Sequence, residues 1–174
     1  MPLQGWKNFL RAGSALGLLV IATAQADAGG FAIREQSAYG QGSSFAGIAA
    51  GGALSSMFWN PATLTQVPGI SMESDVAGII PYATHNPGAG STLLPAGFGG
   101  AGNSGVAALV PGSYFSMQLK PNLWLGMSIN APYGLSVTFP DRFAGRDYAG
   151  DTTLRTYNAT PTIAYRINDW ISVG

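Results

Sequence analysis

From Ile70 to the last residue the chain alternates between apolar and polar positions, with a few interruptions. Ile70, Met72, Val76, Ile80 and Tyr82 share one parity, and Ser71, Glu73 and Asp75 the other. A period of two predicts a strand with one apolar and one polar side. A second strand begins near Val106 and is clearest where Phe115, Met117 and Leu119 alternate with Ser116, Gln118 and Lys120. Lys120-Pro121-Asn122 then supplies a tight turn. In the third strand Leu123, Leu125, Met127, Ile129 and Ala131 oppose Trp124, Gly126, Ser128 and Asn130. Pro132 interrupts it, yet Tyr133, Leu135, Val137 and Phe139 keep the apolar parity, which predicts a bend or bulge rather than an end. The fourth strand starts at about Thr152, with Tyr157, Ile163, Tyr165 and Ile167 opposite Thr156, Asn158, Thr160, Thr162 and Arg166. After Asn168-Asp169, Trp170 opens a fifth.

The connections differ in kind. Residues 84–104 are rich in Gly, Ala and Pro, and residues 141–151 are dense in charge, so both read as long loops. Long loops at one end of the strands and short turns at the other is the asymmetry of outer-membrane barrels. Apolar faces without charge, opposite faces bearing Glu73, Asp75, Lys120, Asn130 and Arg166, point to lipid outside and water inside. A soluble sandwich would instead bury the apolar faces against each other.

Two segments precede the strands. Lys7 and Arg11, an apolar run over residues 15–24 and the small-x-small endings Ala24-Gln25-Ala26 and Ala26-Asp27-Ala28 describe a secretory signal peptide. Cleavage is expected after Ala28, and the apolar run is shorter than the ~20 residues of a spanning helix. Residues 29–68 are rich in Gly, Ala and Ser but carry Phe31, Tyr39, Phe45, Phe58 and Trp59. Too aromatic for a linker, this stretch is expected to be a plug inside a wall formed by residues 69–174.

Composition fits that picture. Charged residues are 9% of the chain and hydrophobic ones 47%, with eight basic and eight acidic side chains. Low charge and high hydrophobicity exclude disorder. A balanced charge gives no footprint for nucleic acid. Four to five strands fall short of the eight that close the smallest barrels. The chain is therefore expected to be the N-terminal part of a longer all-β transmembrane antiparallel barrel.

Chemistry is sparse. Cysteine is absent and His85 is the only histidine, so metal sites and Ser-His-Asp constellations lack parts. No catalytic residue, metal site or cofactor is expected, and the protein is not expected to be an enzyme. A barrel lipase would need a Ser/His pair outside these residues. Gly100-Ala101-Gly102-Asn103-Ser104-Gly105 matches a dinucleotide fingerprint in letters only, since no strand precedes it and no helix follows. The Asn158-Ala159-Thr160 sequon points to the lumen side, and Glu73 and Asp75 are expected to line the lumen.

Three groups of residues carry a family resemblance. They are Gly30-Phe31-Ala32-Ile33-Arg34-Glu35-Gln36-Ser37 with the glycines and Phe45 that follow, then Asn60-Pro61-Ala62, then Leu125 through Leu135 with Ala131-Pro132-Tyr133-Gly134. Phe143-Ala144-Gly145 and the stretch from Thr156 to Trp170 extend the likeness. Together they resemble the start of the FadL/TodX-type outer-membrane family, channels for long-chain fatty acids and, in one branch, aromatic hydrocarbons. Gly51-Gly52 depart from it, standing where many members carry acidic residues.

The resemblance implies a fourteen-stranded barrel in the outer membrane of a Gram-negative bacterium, blocked by an N-terminal hatch of short helices. It implies passive uptake of a hydrophobic small molecule and its sideways release into outer-membrane lipid through a gap at a kinked third strand. Phe31 matches a residue reaching toward the ligand, Asn60, Pro61 and Ala62 match the hatch motif, and Pro132, Tyr133 and Gly134 match the kink. The competing expectations are a structural or adhesive barrel with a permanent plug and an aromatic-hydrocarbon channel of the same family.

Overall fold

The computed structural model describes residues 30–86, 99–100, 102–148 and 150–174. The expected signal peptide, residues 1–28, lies outside them, as do residues 87–98 of the first long loop. Phe31–Gly174 form one compact unit.

Nine strands are described: β1 (Ile70–Ile79), β2 (Thr84–His85), β3 (Gly102–Asn103), β4 (Ala108–Lys120), β5 (Leu123–Asn130), β6 (Gly134–Val137), β7 (Thr152–Arg155), β8 (Asn158–Arg166) and β9 (Ser172–Val173). Five of them build one antiparallel sheet in the order β1-β4-β5-β8-β9. Short turns at Pro121-Asn122 and Asn168-Asp169 join neighbours. At the second, the Asn168 side-chain oxygen accepts from the Trp170 and Ile171 amides, both at 2.8 Å. That local bond is why Asn suits such a turn. The first long loop is not wholly irregular, because β2 and β3 pair across it.

The register keeps each side chain on the face its parity assigns. Met72 pairs with Phe115, Phe115 with Met127, Leu125 with Ile163, and Leu123 with Tyr165. This outer face stays uncovered: Ile70, Met72, Val76, Leu109, Ile129 and Ile163 are all exposed. A continuous exposed apolar face suits hydrocarbon rather than water.

The inner face is built differently. Its rows contain Ser71, Ser116, Gly126 and Thr162, then Glu73, Tyr114, Ser128 and Thr160, with Trp124 beside Ala164. Small side chains there let residues 31–67 approach the backbone of the wall. That segment contains helix α1 (Ala38–Gly42) and three 3₁₀ turns, Ile48–Ala50, Leu54–Phe58 and Pro61–Gln66. Ser37 caps α1 by accepting from the Gly40 amide at 2.9 Å. Asn60 caps the last 3₁₀ turn, its side-chain oxygen taking the Ala62 amide at 3.1 Å, with Pro61 in the first position where no donor is needed.

Between the two layers lies the core: Leu54, Met57, Leu64, Tyr114, Trp124 and Ala164. A Cβ at Gly126 would stand 2.6 Å from Leu64 Cδ1 and 3.0 Å from Met57 Cε. The glycine therefore makes the groove that Leu64 fills.

Two strand expectations are corrected. The third strand does not run on through Pro132: β5 ends at Asn130, and β6 joins β7 in a separate two-stranded sheet. The fourth strand is likewise divided, into β7 and β8. Between the pairs Asn130↔Asn158 and Gly134↔Arg155, residues 131–133 face only residues 156–157. One extra residue on the Pro132 side is a bulge in the register. Beyond it, β6 retains the parity of β5, whereas β7 is reversed relative to β8. Arg155 thus shares a face with Gly134, and Leu154 pairs with Leu135 on the other side.

Leu64 is fully buried. Leu64→Ala is expected to cost about 2–5 kcal/mol of hatch packing. Proteolysis of outer-membrane preparations checks this: cleavage within residues 29–68 should accelerate while the barrel keeps its heat-modifiable gel mobility.

Candidate functional site

The last ladder pair between β4 and β5 is Gly112↔Asn130. Beyond it β4 continues over residues 108–111, paired to β1 on one side and to no strand on the other among the described residues. Contact with the far side resumes at the bridge Gly105↔Val137 and the bond from the Thr138 amide to the Ser104 carbonyl, 3.0 Å. Between these points the sheet is open. An apolar groove of about 550 Å³ lies there, lined by Ile79, Val106, Leu109, Pro111, Leu135 and Leu154 among others.

Residues 131–133 lie outside the strand ladders and Gly134 has no strand partner on the β4 side, and the backbone groups so freed find other partners. The Ala131 carbonyl accepts from Gln36 Nε2 at 2.9 Å. The Pro132 carbonyl accepts from the Ile33 amide at 2.9 Å, and the Gly134 amide donates to the Phe31 carbonyl at 3.0 Å. Thr156 Oγ1 accepts from the Tyr133 amide at 3.0 Å and donates to the Tyr133 carbonyl at 2.7 Å. Pro132 has no N–H to satisfy. Residues 31–33 therefore act as a short substitute strand, and Ala32 bridges Tyr133.

Gly134 has a steric reason to be glycine. A Cβ there would come within 2.8 Å of Ile33 Cδ1. Gln36 is buried and holds the hatch side of the contact, since its Nε2 also reaches the Ile33 carbonyl at 3.1 Å. The backbone carbonyl of Gln36 accepts from the Tyr114 hydroxyl of the inner wall at 2.7 Å.

Of the residues named from sequence, Phe31 and the trio Pro132, Tyr133 and Gly134 come together. Phe31 contributes its backbone to that contact, and its ring is half exposed. Ile33, not Phe31, lines the groove. Asn60, Pro61 and Ala62 sit elsewhere. Asn60 Nδ2 donates to the Ala49 carbonyl at 2.9 Å, and a Cβ at Gly174 would lie 2.7 Å from the Ala62 amide nitrogen. Around them Trp124 Nε1 donates to the Val67 carbonyl at 2.7 Å, Arg166 bonds the Thr65 carbonyl, and Thr65 Oγ1 bonds Ser172 Oγ at 3.1 Å.

Gly51 and Gly52 have φ of 116° and 103°, and a Cβ at Gly52 would fall 2.5 Å from the Tyr39 hydroxyl. Acidic side chains at these positions would be strained. An acidic contact with the hatch comes from the wall instead, where Glu73 Oε2 accepts from the Ser55 amide at 3.0 Å. Glu73 thus faces the plug as its parity requires. His85 is exposed and meets Phe143 edge-on at 5.1 Å. Among the described residues no cluster of His, Asp or Glu is suited to a metal ion.

Sequence reasoning missed Ile33, Gln36, Thr156 and Arg155. Ile33 and Gln36 lie in the N-terminal motif, but nothing in their spacing shows that they touch residues a hundred positions on. Thr156 was placed on a continuous strand, which concealed its bridging role.

A hatch seated on small inner-face residues, an apolar outer face and an open ladder beside a proline accord with the comparisons. The family model for "Outer membrane protein transport protein (OMPP1/FadL/TodX)" matches residues 19–174. The chain belongs to the FadL/TodX family. Its FadL-type strands are barrel strands and its place is the outer membrane. The long-chain fatty acid transport protein of Escherichia coli O6:H1 is 29% identical over 167 residues, covering 95% of this chain and 36% of that protein. Outer membrane protein P1 of Haemophilus influenzae is 26% identical over 170 residues, 90% of this chain and 37% of the relative. The chain thus spans about a third of the length of these relatives. A crystal structure of a Pseudomonas aeruginosa FadL homologue superposes with a TM-score of 0.60 at 21% identity, over 80% of this chain and 35% of that one.

Asn60→Ala removes both the cap on the Ala62 amide and the bond to Ala49. A loss of about 1–2 kcal/mol in local hatch stability is expected. Amide hydrogen exchange should show faster exchange over residues 61–67, with the β4–β5 ladder unchanged.

Proposed function

We propose that the protein is a passive outer-membrane channel for hydrophobic small molecules, long-chain fatty acids foremost, and that they leave sideways through the opening between β4 and β6. The observation that carries this reading is the apolar groove at the interrupted ladder, with Ile33 of the hatch in its lining. Fatty acids are the ligand because the Escherichia coli relative is named for their transport.

The physics favours such a route. Each buried methylene contributes about 0.8 kcal/mol, so an apolar groove can hold a long chain without polar partners. A wide water-filled pore offers such a solute nothing. An opening in the wall passes it from one apolar surface to another. The same opening would be ruinous in lipid if it left backbone groups bare. At the kink the hatch and Thr156 occupy those groups, so residues 131–134 keep their hydrogen bonds beside the opening. Phe31 and Ile33 link the hatch to the opening, Gly134 leaves them room, and Asn60, Pro61 and Ala62 keep the far end of the hatch in place. Outer-membrane lipid receives the released molecule.

Gly134→Val brings a branched side chain against Ile33. Uptake of radiolabelled oleate by cells carrying the protein is expected to fall about fivefold to 150-fold, because the wrong volume in a packed contact costs about 1–3 kcal/mol. Adding Ile33→Ala should restore part of it. Undiminished uptake by Gly134→Val at equal outer-membrane abundance would rule out passage beside β6.

A further inference from the structure

The groove is largely apolar. Among its described lining residues Arg155 is the only charged side chain. Its place there follows from the register slip: had β7 kept the parity of β8, Arg155 would stand on the lipid-facing side. Instead it pairs with Gly134, on the side where the missing Cβ would meet Ile33. Cross-strand partners lie side by side, and Gly134 contributes no side chain to screen or crowd the guanidinium.

Arg155 is also uncommitted. No acidic residue lines the groove, and Arg155 makes no ion pair or side-chain hydrogen bond among the described residues. Three of the other cations are engaged. Arg34 lies over the Phe45 ring at 4.6 Å, Arg166 over the Trp124 ring at 5.1 Å, and Arg146 beside Asp147 at 3.7 Å. Ser136, Thr156 and Tyr133 add hydroxyls to the lining. A largely apolar cleft with one unpaired guanidinium and a few hydroxyls is complementary to a molecule with a long apolar tail and one negative head.

We propose that Arg155 is a specificity-determining residue that binds the carboxylate of a single-chain amphiphile lodged in this groove. The assignment rests on the transport reading above and goes beyond it, because it makes the opening selective for charge. A guanidinium matches a carboxylate with two parallel hydrogen bonds, a geometry that an alcohol or an ester cannot reproduce. The tail lies along Leu135, Leu109 and Ile79, and the head stops at Arg155. A neutral hydrocarbon of equal length gains the tail contacts alone. Charge-neutral aromatic solutes are therefore poorer occupants of this groove, whatever the rest of the channel admits.

The test compares two probes of equal chain length, oleate and oleyl alcohol, in cells carrying the wild-type protein, Arg155→Gln or Arg155→Lys. Initial uptake is normalised to outer-membrane abundance. The wild type is expected to take up oleate in preference to the alcohol. In Arg155→Gln that preference should shrink about tenfold, equivalent to 1.4 kcal/mol, with uptake of the alcohol unchanged. Arg155→Lys should keep much of the preference, since the charge remains. An oleate-to-alcohol ratio in Arg155→Gln equal to the wild-type ratio would overturn the assignment, and would mean that bilayer lipid or another part of the protein occupies the groove. If the wild type itself moves neither probe faster than cells lacking the protein, the transport reading fails together with this one.

Discussion

The structure depends on how the backbone is satisfied at residues 131–134. In a bilayer no water is at hand to serve a free amide or carbonyl, so a barrel wall cannot simply stop pairing. Here it stops pairing on the β4 side, and the groups freed at the kink are taken up by the hatch and by one hydroxyl. Gln36, the amide of Ile33 and the carbonyl of Phe31 serve Ala131, Pro132 and Gly134, and the Thr156 hydroxyl serves both groups of Tyr133. Proline contributes by having no donor to satisfy. The hatch is thus part of the wall's hydrogen bonding as well as an object inside it, and removing its first residues would expose the opening to a penalty that the wall alone cannot meet.

This dependence explains why the two ends of the hatch differ. The segment from Leu54 to Val67 buries Leu54, Met57 and Leu64 against Tyr114, Trp124 and Ala164. It is further tied by the indole of Trp124 and by Arg166. The segment from Phe31 to Phe45 contributes no side chain to that buried cluster. It is held by a few hydrogen bonds, each worth about 0.5–1.5 kcal/mol net, and by the Phe45–Trp59 ring contact at 5.7 Å. Local opening starts where buried apolar contacts are few. The N-terminal part, which touches the kink, is accordingly the part with least holding it.

Much of this was legible in the chain. Alternation located the strands because one face meets lipid along their whole length, so the pattern in Met72, Phe115, Met127 and Ile163 has a single cause. Glu73 was placed on the lumen side for the same reason. Parity is a local signal, however, and fails at a register slip. Across Pro132 the parity of β6 matched that of β5, suggesting one bent strand, while the compensating reversal lay in β7 between Arg155 and Asn158. Nothing within residues 152–156 announces it, because Thr152, Thr153, Leu154, Arg155 and Thr156 are mostly polar at both parities. The partners of the kink were illegible for another reason. Gln36 and Ala131 are 95 residues apart, and their contact is set by how the hatch folds back, not by any period.

The glycines supply the last link between pattern and site. In the sequence they stand out only by their number. In the folded chain they are specific absences of volume: Gly126 admits Leu64, Gly134 admits Ile33, and Gly52 admits the Tyr39 hydroxyl while holding a left-handed φ. A wall with ordinary side chains at Gly126 and Gly134 would push the hatch away from the strands. The hydrogen bonds from Phe31, Ile33 and Gln36 would then fall out of reach, since such bonds weaken steeply beyond about 3.2 Å. Small residues on the inner face therefore come first in the causal order. They allow close approach, close approach allows the hatch backbone to serve the broken ladder, and the served ladder allows an opening to persist in a membrane wall.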